Sequence, residues 1–131
     1  MKLLFLLIFL LPLKTFAKDY IYEVGGTNTP SDANSIEYPD GSKFIVYHGE
    51  YAAWKDNNGD YGKEKCIGHV TVNKDKSADV HFRCISSNQN GETFWTTRNR
   101  KSVVEEGGGG INTYTPGTGK YEKIVGIKCQ I

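Results

Sequence analysis

The chain has 131 residues, with 16 Lys and Arg against 15 Asp and Glu, and carries 15 glycines and eight tyrosines. That length holds one domain with a modest core. The near-balanced charge, with no basic run, excludes a nucleic-acid or anionic-membrane partner, and the Gly, Tyr, Thr and Val content favours strands and tight turns.

Met1-Lys2, the apolar run Leu3 to Leu13 and then Thr15-Phe16-Ala17 read as a secretory signal over residues 1–17. Small residues at the −3 and −1 positions place cleavage before Lys18. The run is too short and wrongly flanked to span a membrane. The mature chain is therefore 18–131, a single domain, exported to the periplasm or secreted. Loss of Lys2 and Lys14 leaves 14 basic residues against 15 acidic ones. Export also sets an oxidising environment in which a disulfide is expected.

In chain order, Asp19 to Val24 alternates as a first strand and Gly25 to Tyr38 reads as a polar loop. Pro39-Asp40-Gly41 is a turn, and Lys43 to Trp54 is a long strand. Asn57-Asn58-Gly59-Asp60 signals a hairpin with Asn-Gly in a type I′ turn. Strands follow at Tyr61 to Val72, Ala78 to Ser86, Thr93 to Arg98 and Ser102 to Glu105. Gly107 to Gly110 breaks the chain before a last strand at Ile124 to Cys129. No amphipathic helix is found. Seven strands in meander order predict an all-β, antiparallel fold closing into a small β-barrel, complete or incomplete.

Cys66 and Cys84 sit symmetrically about Asn73-Lys74-Asp75-Lys76-Ser77. Pairing Val72 with Ala78 places Val70 opposite Val80, Gly68 opposite Phe82 and Cys66 opposite Cys84. Every apolar side chain then falls on one face with the two sulfurs, which predicts a disulfide. The Asn-Gly turn sets the neighbouring register as Ile45–Val72, Tyr47–Val70, Gly49–Gly68 and Tyr51–Cys66. Tyr47, Tyr51 and Phe82 accordingly line or plug the interior, and the Phe82 ring covers bare glycine backbone. Cys129 is left over, free or awaiting a partner.

On the opposite face the same registers align His48, His69 and His81 in one row. Three neutral imidazoles with an open position suit Zn²⁺ or Cu²⁺, and Glu50 and Asp79 are placed to orient their ring N–H groups. A solvated row of strand histidines is the plainer reading. Gly117-Thr118-Gly119-Lys120 imitates a phosphate loop only in part, since Tyr114 and Tyr121 stand where Gly and Ser or Thr belong.

Gly117-Thr118-Gly119-Lys120-Tyr121, followed by Ile124 and Gly126, resembles the signature of allene-oxide-cyclase-like and dirigent-like barrels, most of all small exported bacterial members. Tyr38-Pro39-Asp40-Gly41, the Cys66/Cys84 hairpin and Gly91 to Trp95 resemble them too. The resemblance implies an eight-stranded antiparallel barrel with an apolar interior. Family members run further past the Gly-Thr-Gly motif, and no catalytic residue of theirs maps onto this chain.

The preferred expectation is a non-catalytic exported barrel that binds a small apolar ligand, or fills its interior with its own side chains. The alternatives are an isomerase or cyclase using Glu64, the one inward carboxylate, and metal capture by the histidine row. An unpaired edge at Ile124 to Cys129 offers a route to an oligomer.

Overall fold

The computed structural model describes residues 21–25, 32–103 and 109–131, so the segment 1–17, expected to be a secretory signal, lies outside the described residues. Eight strands form one antiparallel sheet: β1 (Tyr22–Gly25), β2 (Asp32–Glu37), β3 (Lys43–Asp56), β4 (Tyr61–Val72), β5 (Ser77–Asn88), β6 (Thr93–Val103), β7 (Gly110–Gly117) and β8 (Lys128–Gln130). β3 to β8 follow one another across the sheet, while β1 and β2 both pair with β3 along different halves of its length. The sheet curls into an open half-barrel. A 3₁₀ turn at Gly119–Ile124 precedes β8.

Four successive hairpins use one turn design. At Tyr38–Ser42, Asp56–Asp60, Asn73–Ser77 and Asn88–Glu92 the first N–H donates to the fifth carbonyl, and the fourth N–H donates back to the first carbonyl. The fourth residue takes positive φ: Gly41 at 86°, Gly59 at 91°, Lys76 at 65° and Gly91 at 80°. This is a three-residue loop, a type I turn closed by a left-handed residue. Asp56, at the head of its turn, accepts the N–H groups of Asn58 and Asp60 through Oδ1, and Asn88 accepts those of Asn90 and Glu92 in the same way.

The β4–β5 register is the one expected: Val72–Ala78, Val70–Val80, Gly68–Phe82 and Cys66–Cys84 are opposed. The two cysteines form a disulfide, which closes a loop of 18 residues' separation and contributes about 3 kcal/mol in the chain-entropy account. A Cβ on Gly68 would lie 2.7 Å from the Phe82 ring, so that ring does cover bare glycine backbone.

The β3–β4 register departs from expectation in two places. Only Gly59 of the Asn58-Gly59 pair has positive φ, so the turn is not type I′ but the longer three-residue loop, which opposes Lys55 to Tyr61. A β-bulge between Tyr47 and Glu50 then shifts the pairing by one more residue, to Tyr47–Gly68 and Ile45–Val70. Each slip exchanges the two faces of β3, and together they cancel. Ile45 and Tyr47 therefore face inward as expected, whereas Trp54 is buried at the turn end. Tyr51 pairs with Lys65 and not with Cys66, which removes the basis for its interior place; its side chain lies outside the described residues.

Three element expectations change. Residues 32–37, read as loop, form β2 on the flank of β3. β6 is one strand through Val103 where two short strands were expected, and Gly110–Gly117 is a strand that the glycine run concealed. β8 is shorter than the strand expected at Ile124 to Cys129, because a 3₁₀ turn occupies its first part.

Candidate functional site

The concave face divides into three zones. At the end nearest the Asp56–Asp60 turn, Trp54, Phe94, Tyr114 and Tyr121 form a buried aromatic core against which Tyr22, Ile124 and Cys129 pack. Phe94 is at its centre, with ring centroids 5.3 Å from Trp54, 5.5 Å from Tyr114 and 4.6 Å from Tyr121, offset and edge-on spacings that favour aromatic pairs.

Tyr121 enters from the 3₁₀ turn, held there by Asp60. The Asp60 carboxylate, only 7% exposed, accepts from the Tyr121 hydroxyl at 3.0 Å, from Gln89 Nε2 at 3.1 Å and from the Lys120 ammonium at 2.6 Å. Burial opposes ionisation of Asp60, but these donors outweigh it and hold the carboxyl below its usual value. The same contact raises Lys120, and burial reinforced by Asp60 pushes the Tyr121 phenol up. The Gly117–Tyr121 segment is thus a fastener for one end of the half-barrel, its lysine spent on a carboxylate.

The middle zone is polar. Glu64 on β4, 2% exposed, accepts from the Tyr22 hydroxyl at 2.9 Å and from Ser86 Oγ at 3.0 Å, and it forms an ion pair with Arg98 of β6. Burial raises the Tyr22 phenol, and the adjacent Glu64 charge raises it further. Glu64, Cys66 and Cys84 bring three ligand-type atoms within 4.8 Å of one another, but both sulfurs are consumed in the disulfide. Metal ligation requires thiolate, so this trio is structural.

The far zone is an open trough of about 440 Å³. Ile45, Tyr47, Val70, Val72, Val80 and Phe82 form its walls and are all half-exposed, while Arg98, Arg100 and Ser102 border it along β6. The Tyr47 and Phe82 rings, expected as interior lining, lie 5.8 Å apart here. Arg98 is neutralised by Glu64, but Arg100 has no ion pair among the described residues. Thr96 Oγ1, Arg98 Nε, Arg100 Nε and Asn112 Oδ1 are buried atoms with no hydrogen-bond partner among the described residues. Buried polar atoms are ordinarily satisfied, and of these four the two arginine atoms border the trough.

A cleft of similar volume lies between the β3–β4 turn and the C-terminal segment, lined by Tyr114, Tyr121, Ile124, Ile127 and Cys129. Of its charged groups, Asp60 and Lys120 already satisfy one another, and Asp56 accepts N–H groups of its own turn. The trough carries the unmet electrostatic demand and is the better candidate.

On the convex face the three histidines do not gather. His69 and His81 are opposed across β4 and β5, with ring centroids 5.2 Å apart. His48, expected opposite His69, is displaced by the longer turn and the bulge. Val46 takes that position, and His48 pairs instead with Asp32 of β2. Among the described residues no group of three metal-ligand types includes a histidine. Asp79, expected to orient a ring, lies 3.7 Å from Lys101, and the side chain of Glu50 lies outside the described residues.

Sequence reasoning missed Asp60, Lys120 and Tyr121 as a unit, and Arg98 and Arg100 as interior groups. The second pair was within reach, because the Asn88–Glu92 turn opposes Cys84 to Thr96 and alternation then turns Arg98, Arg100 and Ser102 inward. Compared against known proteins, the chain matches no family model, no curated protein and no solved structure.

Proposed function

We propose that this chain is an exported, non-catalytic binding module whose trough holds a small, mostly apolar molecule with an acidic head. The observation that carries the reading is the Arg100 guanidinium, without an ion pair among the described residues, beside half-exposed Val70, Val72, Val80 and Phe82. A cation set against apolar walls attracts an anion more strongly than one in water, and the walls supply the area for an aliphatic or aromatic body. The Cys66–Cys84 disulfide supports export. A curled antiparallel sheet, capped at one end by its Gly-Thr-Gly-Lys-Tyr segment, supports kinship with allene-oxide-cyclase-like barrels.

The state of Glu64 favours non-catalytic use. A general base must reach substrate, and this carboxylate is buried and engaged by Tyr22, Ser86 and Arg98. The isomerase reading would need it released.

Calorimetric titration with dodecanoate and with dodecanol tests the proposal. Dodecanoate is expected to bind with 1:1 stoichiometry and dodecanol about tenfold more weakly, one charge-assisted hydrogen bond being worth that factor. Arg100→Met should remove the difference, and Val80→Asp should abolish both. Binding unaffected by Val80→Asp, or absent for both ligands, overturns it.

A further inference from the structure

The trough leaves the convex face unexplained, and there the His69 and His81 rings stand side by side on neighbouring strands. We infer that these two imidazoles form a site for a borderline divalent transition metal, with Cu²⁺ held more tightly than Zn²⁺, independently of anything bound on the concave face.

The first observation is spacing. A tetrahedral ion with metal–nitrogen bonds of about 2.1 Å holds two imidazole centroids about 5 Å apart, and His69 and His81 stand at 5.2 Å. The second is tautomer control. His81 Nδ1 lies 2.8 Å from Asn99 Oδ1. An amide oxygen only accepts, so Nδ1 carries the proton and the Nε2 lone pair is left for a metal. A hydrogen bond from the non-ligating ring nitrogen is the ordinary way a protein orients a histidine ligand and raises its basicity. The third is support from the other side, where the Phe44 ring lies 5.3 Å from His69 and restricts its rotation. His81 is exposed, so water can complete the coordination sphere. Asp79, two residues away on the same face of β5, adds a negative charge that Lys101 partly offsets.

His48 is excluded by its own bond. Asn34 Nδ2 lies 3.4 Å from His48 Nε2, and an amide nitrogen only donates, so that lone pair is occupied. The order of metals follows from ligand type, since imidazole sites bind Cu²⁺ above Zn²⁺ in the Irving–Williams series.

The test is titration of the mature protein with Zn²⁺, followed by the ring signals of all three histidines, and with Cu²⁺ by calorimetry. One equivalent of Zn²⁺ is expected to shift His69 and His81 together and leave His48 in place. His81→Gln should weaken Cu²⁺ and Zn²⁺ at least tenfold, Asn99→Ala severalfold as a positioning residue, and His48→Gln not at all. All three sites lie on the outer surface, so a melting temperature near that of the unaltered protein checks that each variant folds. Metal binding that survives His81→Gln, a Zn²⁺ response centred on His48, or no ring shift at millimolar Zn²⁺ overturns the site.

Discussion

The two ends of the concave face belong to one sheet and share β3 and β6, yet one is a core and the other a trough. At the turn end Phe94 is 1% exposed, closed in by Trp54, Tyr114 and Tyr121. At the far end Val70, Val80 and Phe82 face the same way from the same sheet and remain half-exposed. The difference is a lid. The 3₁₀ turn brings Tyr121 over one end and Asp60 fastens it, while among the described residues no element covers the other. Curvature alone gathers apolar side chains; burial needs a second layer.

That contrast sets the expected stability effects. Phe94→Ala empties a closed site and is expected to cost about 3–5 kcal/mol, whereas Val70→Ala in the trough should cost about 1 kcal/mol or less. Denaturant midpoints measure both, and equal losses would mean the trough is closed in solution. The charged groups repeat the pattern. Glu64→Gln leaves Arg98 enclosed without its counter-charge, at about 3 kcal/mol, while Arg100→Met should change stability by no more than about 0.5 kcal/mol.

An intermediate effect lies in the lid, and it depends on pH. Asp60 has a folded value below its unfolded one, near 3.9, so its contribution is present above that pH and is lost as pH falls through the folded value. Asp60→Asn should cost about 1–2 kcal/mol at neutral pH and flatten the fall in melting temperature on the acid side. A residual slope is expected from Asp40 and Asp75, which backbone and hydroxyl hydrogen bonds from Ser42 and Ser77 hold below the usual range. An unchanged acid profile in Asp60→Asn would show that the lid is held by its aromatic contacts alone.

How much of this was legible depends on where local rules suffice. The Cys66–Cys84 hairpin was readable because its turn, its alternation and its cysteines all specify one pairing. The disulfide, the inward Phe82 and the inward Glu64 follow from it, whereas Tyr47 faces inward as expected because two slips in the neighbouring register cancel. The neighbouring register was misjudged because Asn58-Gly59 fits both a two-residue and a three-residue loop, and a bulge leaves no composition signal. β2 escaped because its residues are exposed where described, so no alternation of apolar side chains marks it. The Asp60–Lys120–Tyr121 fastener joins residues about sixty positions apart, a proximity that only tertiary folding creates. The histidine row failed for the same reason as the register, and only its His69–His81 half survived.

The paired offsets in β3 constrain how this gene can change length. A one-codon deletion at the bulge near Gly49 would invert Ile45 and Tyr47 while sparing Trp54; one at the Asn57–Gly59 loop would invert the hairpin end as well. Deleting one residue at both would return the trough to its present facing but turn Trp54 out of the core. A length change in this strand therefore disturbs the trough or the core, and a second one restores only the trough.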